Sequence, residues 1–358
     1  MSGFGSNERK TKKSEEKKIK TLQRDKLISN AFSLHSSGKI KEAADVYNFL
    51  IQKKIYDPRV FNNLGSIYSN LKQFDKAILL FDESIKKFPN SLEAYINLAN
   101  VMIIKGKSDI AKKILNKVIE LNPNYLKPYS NLAGIFVGEG NFEKAEFFLR
   151  RSLEISPKDI NNLVNLACVL KDLGNPKQAE RFLRDALEIN PKYDSALVNL
   201  GAVLNELGKI DEGEEFLKKA LKINPNSPMA LNNLGNILSK KNKNKEAELF
   251  YRKAIELKSD FFLAYDNLGS LLSKQGNLIE AEKFTEKAIN YNPKFELAYV
   301  NLGSIKIDLD KLLEAEELFL RAIQINENYS YAYRNLFRLY EKTNNIEKLK
   351  NKLENLKE

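Results

Sequence analysis

The chain of 358 residues has no tryptophan, one cysteine and one histidine. A lone thiol, Cys168, excludes an intramolecular disulfide. With only His35 to join it, no Cys/His cluster of zinc-site spacing can form. His35 and Cys168 also stand too far apart along the chain to suggest a nucleophile and its base, and no Gly-rich phosphate loop is present. No catalytic residue, metal site or cofactor is therefore expected. Cys168 reads as a plain helical cysteine, and His35 as an exposed polar residue. There is no run of about 18 apolar residues and no signal-like N-terminus, so the reading is a cytoplasmic protein without a membrane span. Glycine, at 16, and proline, at 10, are few. Many fall at recurrent positions, which argues against a disordered chain.

What the chain does have is a repeat. The triplet Asn-Leu-Gly or Asn-Leu-Ala begins at Asn63, Asn97, Asn131, Asn165, Asn199, Asn233, Asn267 and Asn301, and returns as Asn335-Leu336-Phe337. Every interval is 34 residues. A period of this length marks stacked units, each too small to bury its apolar face alone. From Arg24 the units are placed at 24–57, 58–91, 92–125, 126–159, 160–193, 194–227, 228–261, 262–295, 296–329 and a shortened 330–358. Residues 1–23 hold seven Lys/Arg and three Glu and read as a basic disordered tail.

Each unit divides into two helices. In the unit starting at Pro58, Phe61, Leu64, Gly65 and Tyr68 have helical spacing, a polar turn follows at Lys72-Gln73, and Ala77, Phe81 and Ile85 mark a second helix. Pro89 ends it. Glycine often marks the turn, as at Gly106 and Gly140, where it can close a helix in the left-handed conformation. Small residues recur in the first helix (Ala31, Gly65, Ala99, Ala133, Ala167, Gly201, Gly235, Gly269, Gly303) and in the second (Ala77, Ala111, Gly213 and their equivalents). Glycine inside a helix costs about 1 kcal/mol relative to alanine, so its repeated use implies that two helix backbones approach closely there.

These features together resemble the tetratricopeptide repeat family: the 34-residue period, a bulky residue then Leu-Gly/Ala, a later Ala, and proline at Pro89, Pro123, Pro157, Pro191, Pro225 and Pro293. The resemblance covers 24–358 and implies an all-α, right-handed α-α superhelix. Ile55, Ser259 and Glu327 replace the proline, and Phe337 and Leu349 the small residues of the last unit. The stretch 344–358, with Ile346, Leu349, Leu353 and Leu356 among charges, suits a solvating cap helix.

The same resemblance implies that the first helices line a concave surface. The recurring asparagines would then form a ladder there, like that of the repeat region in O-linked N-acetylglucosamine transferases. An amide offers donors and an acceptor and can pair with the backbone of an extended peptide. The candidate peptide-binding residues are the nine asparagines with Arg334 and Arg338, which could meet an acidic group. Asn100, Asn205, Asn236, Ser270 and Ser304 flank them. The alternative is that the asparagine is a habit of the family with little binding role.

The net charge of +11 would suit a polyanion partner if clustered. Here lysines alternate with acids, and pairs such as Glu214-Glu215 and Glu316-Glu317 read as solvated faces. Strict spacing and largely neutral inner positions disfavour an RNA-binding helical repeat. The expected function is a non-catalytic scaffold for a protein or extended peptide. The runner-up is a substrate-recognition accessory of a glycosyltransferase or sulfotransferase system.

Overall fold

The computed structural model describes residues 23–343. The expected cap at 344–358, and the expected tail except for Gln23, lie outside them. Every regular element among the described residues is a helix. The first helices are α1 (helical over 23–36), α3 (Pro58–Asn70), α5 (Leu92–Ile104), α7 (Leu126–Gly138), α9 (Ile160–Asp172), α11 (Asp194–Glu206), α13 (Pro228–Lys240), α15 (Phe262–Lys274), α17 (Glu296–Asp308) and α19 (Ser330–Lys342). The second helices are α2 (Ile40–Gln52), α4 (Phe74–Lys87), α6 (Ser108–Leu121), α8 (Phe142–Ile155), α10 (Pro176–Ile189), α12 (Ile210–Ile223), α14 (Asn244–Leu257), α16 (Leu278–Tyr291) and α18 (Leu312–Ile325).

The chain forms two compact units, one up to Val169 and one from Leu170. Within each, a first helix packs on its own second helix and on the next first helix, as α3 does on α4 and α5, and α13 on α14 and α15. Second helices pack on the first helix that follows, as α4 on α5 and α14 on α15. The first helices thus form the more closely packed layer. The core is continuous between repeats: Ala77, Phe81, Ala99, Leu115 and Leu132 share one cluster, and Leu217, Leu234, Tyr251 and Leu268 another.

The expected close backbone approach is found at Gly201, Gly213 and Gly269, but several of the small residues answer another demand. A Cβ built on Gly65 would lie 2.5 Å from Cε1 of Phe81, one on Gly235 2.6 Å from Cε1 of Tyr251, and one on Gly303 2.5 Å from Cε1 of Phe319. Each glycine therefore makes room for a ring from the second helix rather than for a neighbouring backbone. Backbone approach is closest at Gly213, whose Cβ would meet the Gly201 carbonyl oxygen at 3.0 Å. The pairing is not strict: Gly201 faces Leu217 and Gly269 faces Thr285, while Ala99 and Leu115 occupy the same two registers and are both fully buried.

The turn between helices also obeys a rule wider than its glycines. Gly106 has φ +71°, and the amides of Gly106 and Lys107 close α5 by bonding to the Ile103 and Met102 carbonyls. Lys72, Asn242 and Asp310 occupy the same register without glycine and adopt φ 58°, 57° and 61°. Proline, conversely, is not what stops the second helix. α14 and α18 end at Leu257 and Ile325, in step with the others, although Ser259 and Glu327 stand where proline would. Where proline is present it follows the stop by two residues, as Pro89 follows Lys87.

Candidate peptide-binding site

All nine asparagines lie on first helices, at one register position. Asn63, Asn97, Asn131, Asn199, Asn233, Asn267 and Asn301 are half-buried, Asn165 is exposed and Asn335 is buried. Half-burial follows from the sequence. The asparagine precedes the buried leucine by one residue, which turns it about 100° to the edge of the apolar stripe.

Six of these amides are held by a hydrogen bond from the side-chain nitrogen. Asn63 Nδ2 donates to Tyr47 Oη at 3.1 Å. Asn131 Nδ2 donates to Asn100 Oδ1 in the preceding repeat at 2.8 Å, and Asn267 Nδ2 to Asn232 Oδ1 at 2.9 Å. Asn301 Nδ2 reaches both carboxylate oxygens of Asp266, at 3.1 and 3.0 Å. Asn199 and Asn335 instead donate to the carbonyl one turn back, on Ser195 and Tyr331, at 2.9 and 2.8 Å. An amide nitrogen carries two hydrogens. At Asn131 and Asn267 one bond therefore orients the group and leaves a second N–H and the amide oxygen, while Asn301, which reaches both Asp266 oxygens, keeps its amide oxygen.

Apart from Asn100, the side-chain acceptors are residues the sequence did not single out. Asn232 and Asp266 directly precede an asparagine of the row, and both are buried. Burial pushes the Asp266 carboxyl up to about 6, with the bond from Asn301 pulling the other way. Tyr47 joins three groups: Asn63, the ring of Phe32 at 6.1 Å between centroids, and His35, whose Nδ1 lies 3.4 Å from Tyr47 Oη. His35 is thus half-buried against a tyrosine and not the exposed residue expected. Cys168 is half-buried on α9. Arg334 and Arg338 are exposed, one turn apart on α19.

Two expected solvated pairs are only half so. Glu214 and Glu316 are buried, while Glu215 and Glu317 are exposed. Lys218 and Lys241 each lie 2.5 Å from Glu214, and their hydrogen bonds hold its carboxyl down at about 2. Lys306 is buried between Glu282, at 2.5 Å, and Glu314. Burial pushes its ammonium down, but the bonds to both carboxylates outweigh this and raise it. The Lys241–Glu214 and Lys306–Glu282 pairs join successive repeats, so part of the acid–base alternation has a structural use.

A cleft of about 220 Å³ opens among α11, α13 and α15, with Asn205, Asn236, Lys240, Asn267, Ser270 and Lys274 in its wall. Asn233, Asn236 and Lys240 follow an i, i+3, i+7 spacing, as do Asn267, Ser270 and Lys274. Each triad is therefore one stripe of a helix. The two lysines were missed in the sequence because they lie two turns beyond the asparagine register. Their spacing was the available signal.

Residues 20–264 match the family described as the cilia and flagella-associated protein 70 C-terminal domain, and 263–295 and 297–329 each match a tetratricopeptide repeat. The chain is a tetratricopeptide repeat protein and belongs to that domain family. Among curated relatives, the BBSome complex member BBS4 of Bos taurus is 35% identical over 102 residues, 27% of this chain and 18% of the relative. That of Mus musculus is 34% identical over 96 residues, again 27% and 18%. The chain therefore matches less than a fifth of the length of these relatives.

Among solved structures, a tetratricopeptide repeat protein from Parabacteroides merdae superposes with a TM-score of 0.60 at 22% identity, covering 70% of this chain and 98% of that one. A monomeric IFIT1 mutant with a capped RNA gives 0.63 at 18% identity, covering 87% and 81%. Both likenesses show the fold: an all-α superhelical repeat. The repeat fold and the relatives support a protein-interaction scaffold. No helix among the described residues is long and apolar enough to cross a membrane.

Proposed function

We propose that the chain is a non-catalytic cytoplasmic scaffold that holds an extended segment of a partner protein against its first helices. The observation that carries this reading is the pinned row of amides. At Asn131 and Asn267 a bond to the preceding repeat fixes the side chain and leaves an N–H and the C=O unused, and at Asn301 the two bonds to Asp266 leave the C=O. A peptide backbone offers the complementary pair at a regular interval, so recognition tolerates many sequences. Fixing the amides beforehand lowers the ordering cost of binding. The likeness of the asparagine register to that of O-linked N-acetylglucosamine transferases supports the same use, and the description of the relatives as members of a complex supports a protein partner. The repeat limits are proposed as ten units from 24–57 to 330–358, the last with its cap.

The test is selection of binders from a random dodecapeptide phage library, then affinity measurement on the triple variant Asn199→Ala, Asn233→Ala, Asn267→Ala. Three lost backbone bonds at about 0.5–1.5 kcal/mol each predict binding roughly ten- to a thousandfold weaker, with a helical circular dichroism spectrum retained. Selected peptides that bind the triple variant as tightly as the parent would contradict the reading.

A further inference from the structure

Several lysines among the described residues reach a carboxylate of a neighbouring repeat. Lys105 meets Asp75, Lys112 meets Glu139, Lys209 meets Glu180 and Lys311 meets Glu282, at 2.7 to 3.1 Å. Lys240 and Lys274 differ. They occupy one register in adjacent repeats, both are exposed, and both line the cleft among α11, α13 and α15. Lys240 Nζ donates to the backbone carbonyl of Asn205 at 3.1 Å. Among the described residues neither lysine forms an ion pair with a carboxylate.

The neutral groups in the same wall are oriented. Tyr251 Oη donates to Asn236 Oδ1 at 2.7 Å, which fixes that amide and leaves its N–H₂ as the unused end. Asn267 gives one N–H to Asn232 and keeps its oxygen. Asn205 Oδ1 is closed off from water without a hydrogen-bond partner, so its amide can turn without losing a bond at the oxygen. Ser270 adds a hydroxyl. The cleft therefore presents two ammonium groups, an amide donor and a hydroxyl beside amide acceptors.

We infer that this cleft is the anchoring subsite for an acidic side chain, Asp or Glu, of the bound extended peptide. The carboxylate would sit between Lys240 and Lys274, and the backbone beside it would pair with Asn236 and Asn267. This rests on the proposed peptide-holding function and adds a residue preference to it. A single carboxylate fits better than a polyphosphate strand. The same register carries Glu206 in the repeat before and Asp308 in the repeat after, both exposed, and these would repel a continuous line of charge.

The experiment uses the random dodecapeptide phage library on the full chain and on Lys240→Gln/Lys274→Gln, with a 20-mer of poly(A) RNA as a second probe. Both side chains are exposed, so the fold should survive, as circular dichroism and thermal melting would verify. The expected result is an Asp or Glu in most peptides selected by the parent. Exchange of that residue for Asn or Gln should weaken binding about tenfold, and the double variant should select peptides without the acidic preference. Peptides selected without an acidic residue, or an acidic preference that persists in the double variant, would overturn the subsite while leaving peptide holding intact. Absence of any selected peptide would overturn both. Poly(A) binding lost in the double variant would replace the peptide by a nucleic acid.

Discussion

Gly65 and Phe81 are a matched pair: a methyl group on the first would stand 2.5 Å from the ring edge of the second. Phe81 is 1% exposed and belongs to the cluster that joins its repeat to the next, so it has nowhere to retreat. Gly65→Ala is expected to destabilise the protein by about 1–3 kcal/mol through overpacking. Adding Phe81→Leu reproduces the pairing of Ala99 with Leu115 and should recover part of that loss. Chemical denaturation of the two single variants and the double variant measures the coupling. Simple additivity would show that the two residues do not share a space.

Lys72 holds a backbone conformation that lysine adopts rarely. Its φ of 58° occupies the register where Gly106 has 71°, and a side-chain-bearing residue is disfavoured there by about 1–2 kcal/mol. Lys72→Gly removes that strain at the cost of greater freedom in the unfolded chain. The expected net effect is a stabilisation of up to about 1 kcal/mol, read as a rise in melting temperature. The same exchange at Lys76, inside α4, should instead lower it.

Asp266 makes stability depend on pH in an unusual direction. Its carboxyl titrates near 6 in the folded protein against an ordinary value of 3.8. Between these values the folded state keeps a proton that the unfolded chain has released. Stability therefore falls as pH rises from about 4 to 6, and stays lower above that window. Asp266→Asn keeps an acceptor for Asn301, as Asn232 does for Asn267, and removes the buried charge. It should raise stability at pH 7.5 by about 1–3 kcal/mol and flatten this part of the profile. Melting curves at pH 4.5 and 7.5 for parent and variant provide the comparison.

The fold was legible because one period governs it. The 34-residue interval, the leucine of each triplet and the small residues give the helix pairs and their stacking without reference to any single contact. The purpose of the small residues was less legible, because Gly65 must be read against Phe81, sixteen positions later, and not against other glycines. The turn rule was hidden for a related reason: Lys72, Asn242 and Asp310 share the conformation of glycine but not its identity. At the candidate site the row of asparagines was visible, but what holds each amide was not. The partners come from several registers: Asn100 is three residues past a row position, Asn232 and Asp266 one before it, and Tyr47 is on a second helix. A pattern search along one register cannot find them. Glu214 and Glu316 were misjudged as surface charges because burial depends on how the repeats stack.

The most direct measurement is site-specific photo-crosslinking of a selected dodecapeptide. A photoreactive phenylalanine analogue is placed at Ser270, on the first-helix face beside Asn267, or at Leu249, 66% exposed on second helix α14. The account predicts covalent capture from position 270, lost on competition with free peptide, and little from position 249. Capture from 249 with none from 270 would put the peptide on the other helix layer and contradict the role given to the asparagine row.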